Sequence, residues 1–342
     1  MVYKRLVVAV TMVAFAAVGV SFAPQANAAE TKTIKISHQF PGGTIDQGDF
    51  RDRLCRVFAQ EVEKRTNGEL KFEIYPSGSL VKSKQQFNAL AMGSLDMTLY
   101  PLAYSGGQIP ETNLTLMPTL VTSYEQGLRW KDAPIGKELN RIIEENGVKI
   151  LTWVWQAGGI VSKDKAIIMP EDIKGLKARG AGKSMDQMLA AAGAAITSIP
   201  SNEVYNALQQ GVLDAAVTSS GSLVSFRLYE QAKHVTTARD KTFWFMFEPL
   251  LIAKSTFDGL TPEQQKIVLE VGVSMEAFAV AEAKKDDEEV AKAYAAGGAA
   301  VHDMNEAAFL EWRKVAKTSA WKAFVDNVKN GQQLMDMAES VQ

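Results

Sequence analysis

The chain has 342 residues, of which 46% are hydrophobic, 8% aromatic and 22% charged. This composition excludes collagen-like, coiled-coil and wholly disordered chains, and the length fits two domains better than one. With 37 basic against 39 acidic residues, a formal charge of −2 and no long run of either sign, neither nucleic acid nor an anionic membrane surface is a fitting partner.

The chain opens with Lys4-Arg5, an apolar stretch from Leu6 to Ala23, and the small residues Ala26-Asn27-Ala28. This pattern reads as a secretory signal over residues 1–28, cut after Ala28, which exports the mature protein to an oxidising compartment. The apolar stretch approaches the ~20 residues of a spanning helix, so a retained anchor is the alternative. The lone cysteine, Cys55, allows no intramolecular disulfide and reads as a small helical residue.

Thr33 to Ser37 alternates as a strand, and Phe50, Leu54, Val57, Phe58 and Val62 recur at helical spacing over Phe50 to Lys64, closed by Asn67-Gly68. Leu70 to Tyr75 is a second strand, stopped by Pro76-Ser77-Gly78. Helix and strand in alternation mark an α/β fold. The stretch Phe87 to Asp96 then recurs as Tyr205 to Asp214, with six of ten positions identical. Each copy reads as a helix, a glycine free to take positive φ, and a buried strand, Met97 to Tyr100 or Ala215 to Thr218. Two similarly built α/β lobes follow, with a small-ligand cleft where the carboxyl ends of their strands meet.

From Thr261-Pro262-Glu263, with Gln264 completing a capping box, the chain becomes helical almost to its end. A helix over Pro262 to Ala295 is expected to break only near Asp286-Asp287, and Glu306 to Lys317 and Ser319 to Ala338 give further helices.

His38, His234 and His302 stand far apart in sequence, without cysteines or carboxylates at ligand spacing, so neither a metal site nor a cofactor is expected. There is no G-x-S-x-G elbow, phosphate loop or H-E-x-x-H motif. The pattern favours an exported binding protein without covalent chemistry. A hydrolase or isomerase using Ser219, Ser220 or His38 is the rival, since triads assemble from distant residues.

Asp172-Ile173-Lys174-Gly175-Leu176-Lys177-Ala178-Arg179, Ala192-Gly193-Ala194 and Pro200 to Asp214 resemble the solute receptors of tripartite ATP-independent periplasmic (TRAP) transporters, DctP type. The resemblance extends to Tyr75-Pro76-Ser77-Gly78-Ser79-Leu80 and Leu260-Thr261-Pro262-Glu263-Gln264-Gln265. It implies a type II-like periplasmic binding fold: two α/β lobes, crossing strands and a long helix, closing as a monomer on a small organic acid. The implied partners are the small and large membrane permease subunits; a signalling partner is the other reading. On this basis residues 29–152 plus about 245–284 form lobe I, and 153–244 plus about 285–342 form lobe II with the C-terminal helices.

The resemblance also implies that Arg179 pairs with a ligand carboxylate, a role that the guanidinium fork suits. The asparagine that sugar-acid receptors of the family use is replaced by Thr218, with Ser219 and Ser220 beside it. A second arginine of some members falls near Gly158-Gly159, which argues against a diacid. Aromatics are plentiful instead: Trp153 and Trp155 before Gln156, Phe243-Trp244-Phe245 and Phe247 before Glu248, and Tyr100 and Tyr104. Alternation puts Trp153 and Trp155 on one face of a strand and Phe243, Phe245 and Phe247 on one face of another. Most are expected in the core, with one or two rings lining the cleft and favouring an aromatic or apolar monocarboxylate. His38 and Gln39 end the first strand, where either hydrogen-bonds a ligand or simply turns the chain. Glu248 accepts from a ligand hydroxyl or amine, or partners a nearby basic side chain.

Overall fold

A computed structural model describes the first two residues and residues 31–341; the expected secretory signal and its cleavage point lie outside the described residues. In chain order the strands are β1 (Lys32–His38), β2 (Leu70–Tyr75), β3 (Met97–Leu99), β4 (Val148–Thr152), β5 (Trp155–Ser162) and β6 (Lys177–Arg179). They continue as β7 (Ala195–Ile196), β8 (Ala215–Ser219), β9 (His234–Thr237), β10 (Phe245–Phe247), β11 (Leu250–Ala253) and β12 (Ala300–Asp303). One sheet has the order β2-β1-β3-β11-β4; the other runs β12-β9-β5-β8-β6-β7, with β10 also paired to β5.

The first β-helix-β unit forms as its pattern implies. The helix Phe50–Arg65 is capped by the Asp49 carboxylate and buries Phe50, Leu54, Cys55, Phe58 and Val62. Asn67 and Gly68 turn the chain at φ 50 and 80 into β2, parallel to β1. The internal repeat is one device built twice. Gly93 and Gly211 take φ of 69 and 71, and the following aspartates then bridge neighbouring strands. Asp96 Oδ2 accepts from Lys35 N and Asp214 Oδ2 from Lys177 N, both at 2.9 Å. Each aspartate thereby anchors the start of its strand to the parallel strand beside it.

Three expectations require correction. Leu151 to Gln156 is not one strand: β4 ends in the first sheet at Thr152 and β5 begins in the second at Trp155, so Trp153-Val154 is the crossing. The return crossing is Glu248-Pro249, and Glu248 N donates to Val154 O at 2.8 Å to hold the two crossings together. β10 therefore belongs to the second sheet. The long helix runs unbroken over Pro262–Ala296, because Asp287 faces inward and finds partners there. Finally, Ser319 to Ala338 is two helices, Lys322–Asn327 and Gly331–Glu339. They are separated by an extended Val328 and by Asn330 at φ 57.

The helix Pro262–Ala296 serves both sheets. Thr152 Oγ1 donates to Gly272 O at 2.9 Å, and Tyr294 donates to Leu223 O at 3.4 Å. Among the described residues no helix is long and apolar enough to cross a membrane.

Candidate functional site

β6 and β8 are parallel neighbours, and β6 stops at Arg179 while β8 continues. The Arg179 side chain therefore folds over the carboxyl edge of the sheet. Its Nη1 donates to Val217 O at 2.8 Å, Nε to Ile199 O at 3.0 Å and Nη2 to the Tyr104 hydroxyl at 2.8 Å. Arg179 is 1% exposed, and among the described residues no carboxylate lies within ion-pair distance of it. A guanidinium carries five donors. With three spent on neutral oxygens, one N–H on each terminal nitrogen is left, the pair that a carboxylate takes in bidentate fashion.

Tyr104 comes from the first lobe, in the segment that follows β3. Its hydroxyl accepts from Arg179 and from Ser201 N at 3.1 Å. A cleft of about 490 Å³ opens between this segment and residues 181–199, lined by Tyr104, Asn113, Ala181, Asp186, Ile196 and Ile199. Arg179 does not line it, but two of its hydrogen-bond partners do. Burial raises the Asp186 carboxyl pKa even with the Arg179 charge nearby.

A second buried guanidinium, Arg51, ties the lobes together. Nε and Nη2 bond the two Asp49 oxygens at 2.8 and 2.6 Å, and Nη1 donates to Ser219 Oγ at 3.0 Å and Glu248 Oε2 at 3.3 Å. Nη2 also donates to Ser222 Oγ at 3.1 Å, and the Phe40 ring lies 3.7 Å below the guanidinium carbon. All five donors are spent. Burial alone would lower the Arg51 pKa, but Asp49 and Glu248 outweigh it and hold the group charged.

Around this cation the acids diverge. Asp49 stays below the ordinary range because Arg51 overcomes the cost of burial. Burial outweighs Arg51 at Glu248 and raises it to about 7; at Asp286 burial, with repulsion from Asp49, also gives about 7. Asp287 rises to about 6 through burial, although Ser220 and Tyr124 donate to it at 2.5 and 2.7 Å.

The expected site residues divide accordingly. Gln156 donates through Nε2 to Glu248 Oε2, so Glu248 is a partner of Arg51 and Gln156. Ser219 and Ser220 are engaged by Arg51 and Asp287, and His38 Nε2 faces Asp52 Oδ1 at 3.1 Å. Among the described residues no serine hydroxyl bonds a histidine, so the nucleophile–base pair of the hydrolase rival is not assembled.

Trp155 sits in the core against Trp130 and Phe247, at centroid distances of 5.2 and 5.1 Å, and Phe245 packs edge-on to Tyr124 at 5.2 Å. The aromatic pattern leads one to expect both near the cleft, but both are buried, each against the rings named. Trp153 also packs on Phe247 at 4.5 Å, and Phe243 on Trp312 at 4.7 Å. Tyr100 is buried between Phe87 and Tyr104.

Among the described residues four expected site residues retain unused hydrogen-bonding groups: His38 at Nδ1, Gln39 with neither amide atom partnered, and Trp155 and Trp244 at their indole N–H groups. Trp244 lies over Gly158, where a Cβ would stand 2.5 Å from its ring and 2.2 Å from Thr218 O. Thr218 is buried at the same edge of β8, paired with Gly159. Among the described residues no three acidic, histidine or cysteine side chains gather as a metal site.

Asp49 and Arg51 escape the sequence reading, because helical periodicity marks the apolar face and says nothing of polar residues at the helix start. The acid pair Asp286-Asp287 does carry a signal, but in sequence it has the form of a helix break.

Residues 50–327 match the family described as bacterial extracellular solute-binding protein, family 7 (DctP). A solute-binding protein of Albidiferax ferrireducens is 52% identical over 296 residues, 86% of this chain and 88% of that one. The crystal structure of a TRAP periplasmic solute-binding protein from Rhodoferax ferrireducens, with bound malonate, is similar at TM-score 0.89 and 50% identity, covering 90% of this chain and 98% of that one. The C4-dicarboxylate-binding periplasmic protein of Rhodobacter capsulatus is 26% identical over 291 residues, 84% of this chain and 85% of that one. Two α/β lobes, paired crossings and sequence identity of this extent make the chain a member of the DctP family of TRAP solute-binding proteins, which are receptors and not enzymes.

Proposed function

We propose that this receptor is exported by a cleaved signal over residues 1–28, works in the periplasm as a monomer, closes on one small organic acid and delivers it to the permease subunits. The observation that carries the reading is Arg179, buried without a carboxylate partner among the described residues. An unpaired buried charge is costly, and a ligand carboxylate on the two unspent donors removes that cost. Because Tyr104 from one lobe and β8 from the other both hold Arg179, an acid bound there favours the closed arrangement over the open one.

A monocarboxylate with a compact apolar or flat remainder fits best. The other buried guanidinium, Arg51, has no donor left for a second carboxylate. Trp244 remains as the aromatic surface at the edge of β8. Malonate in the Rhodoferax ferrireducens relative favours a second reading, a short dicarboxylate whose far end meets Lys84 or Lys183 at the cleft.

Thermal denaturation against a panel of mono- and dicarboxylates tests both readings, since ligand binding raises the melting temperature by linkage. Stabilisation by monocarboxylates, lost in Arg179→Ala, is expected. Stabilisation by malonate alone favours the second reading, and no stabilisation by any acid refutes both.

A further inference from the structure

We propose that Gln39 reads a hydroxyl group on the bound acid, so that the receptor prefers hydroxycarboxylic acids to their unsubstituted counterparts. The inference rests on the organic-acid reading above. Gln39 is 1% exposed, yet neither its Oε1 nor its Nε2 has a partner. Buried amides almost always find hydrogen bonds, because the lost contact with water is otherwise uncompensated.

Its place in the fold sets its neighbourhood. Gln39 follows β1 at the carboxyl edge of the first sheet, and two routes lead from there to Arg179. Through His38, paired in register with Leu99, the first reaches Tyr100, which stands edge-on to Tyr104 at 5.9 Å, and Tyr104 bonds Arg179 at 2.8 Å. Through Phe40, 3.7 Å below Arg51, the second reaches Ser219 at the end of β8, the strand whose Val217 carbonyl also holds Arg179. Gln39 thus stands in the chain between two residues from which contacts lead to the other carboxyl edge, and in this proposal its amide faces the acid held there.

The chemistry then narrows. A carboxylate only accepts hydrogen bonds, so an acid seated on Arg179 with nothing further to offer leaves Gln39 Oε1 unsatisfied. An ammonium only donates, and leaves Gln39 Nε2 unsatisfied. A hydroxyl does both: it donates to Oε1 and accepts from Nε2. The unpartnered Trp244 N–H supplies a further donor at the edge of β8. A site built to bond a hydroxyl discriminates strongly against the ligand that lacks it, because its own polar groups are left unpaired.

Calorimetry with matched pairs tests this: glycolate and acetate, lactate and propionate, mandelate and phenylacetate, tartronate and malonate. The hydroxyl member is expected to bind roughly tenfold or more tightly in at least one pair. Gln39→Met, which keeps the length and removes the amide, should bring that ratio to about unity. Gln39→Asn, which withdraws the amide by one methylene, should lower the ratio as well and serves if the first variant does not fold. Equal or tighter binding of the unsubstituted acid in every pair that binds, or a ratio that survives both substitutions, overturns the role of Gln39 and leaves the receptor reading intact. Failure of all eight acids to bind overturns both.

Discussion

The Tyr104 hydroxyl, from the first lobe, accepts a hydrogen bond from Arg179 Nη2 of the second at 2.8 Å. The same oxygen accepts from Ser201 N, so its own proton remains to be given. Tyr104→Phe should keep the ring packing on Tyr100 and lose both functions. A fall in affinity for the bound acid of about tenfold, in line with one lost hydrogen bond to a charged group, is expected by calorimetry. Unchanged affinity would separate Tyr104 from recognition.

Arg51 carries a different expectation. Replacing it with Met leaves Asp49 and Glu248 buried without their cation, a change that typically costs about 3–5 kcal/mol. Denaturant unfolding should show a loss of that order. A loss under about 1 kcal/mol would mean that water relieves the cluster.

The same cluster predicts a pH dependence. Glu248 and Asp286 are raised to about 7, and Asp287 to about 6, chiefly by burial. The folded chain therefore holds these protons more tightly than the unfolded chain. Their contribution to stability is complete below the ordinary carboxylate range and is lost as pH rises through about 7. Asp49 acts with the opposite sign, its contribution fading only in acid. Melting temperature should fall from about pH 5 to about pH 8, and Glu248→Gln should flatten that slope. A melting temperature that rises over this range contradicts the assignment.

Gly158 is required by its neighbours. An alanine there would press on Thr218 O and the Trp244 ring, and overpacking of this kind costs about 1–3 kcal/mol. Because the displaced ring is Trp244, the ligand-induced shift in melting temperature should shrink along with the stability. Thermal denaturation with and without ligand reads both effects; loss of neither would show that β5 and β8 can part at this point.

The architecture was legible where local chemistry repeats. Gly93-Ser94-Leu95-Asp96 and Gly211-Val212-Leu213-Asp214 announce the same turn and the same anchoring aspartate, and the structure builds both. The capping box at Thr261 and Gln264 forms as its spacing implies. What stayed hidden was non-local. Period-two alternation across Trp153 and Trp155 cannot register that the chain changes sheets between them. Arg51 meets Ser219 across 168 positions of sequence, a pairing that no window displays. Adjacent acids such as Asp286-Asp287 look like a solvated interruption until Tyr124 and Ser220 are found donating to one of them. Only the family resemblance distinguishes Arg179 in the sequence, since an arginine ending a short strand is usually a surface residue.

The unbroken helix of 35 residues, about 52 Å at about 1.5 Å per residue, sets the kind of motion available to the molecule. At Gly272 it lies so close to β4 that a Cβ would stand 2.6 Å from Leu151 O, while its far end is seated under Leu223. A strut seated on both lobes resists sliding, so the closure proposed above is expected to run as rotation about the two short peptide bridges at 153–154 and 248–249. Glu248 stands on that axle, so a change in its protonation near neutrality is expected to alter the ease of that rotation.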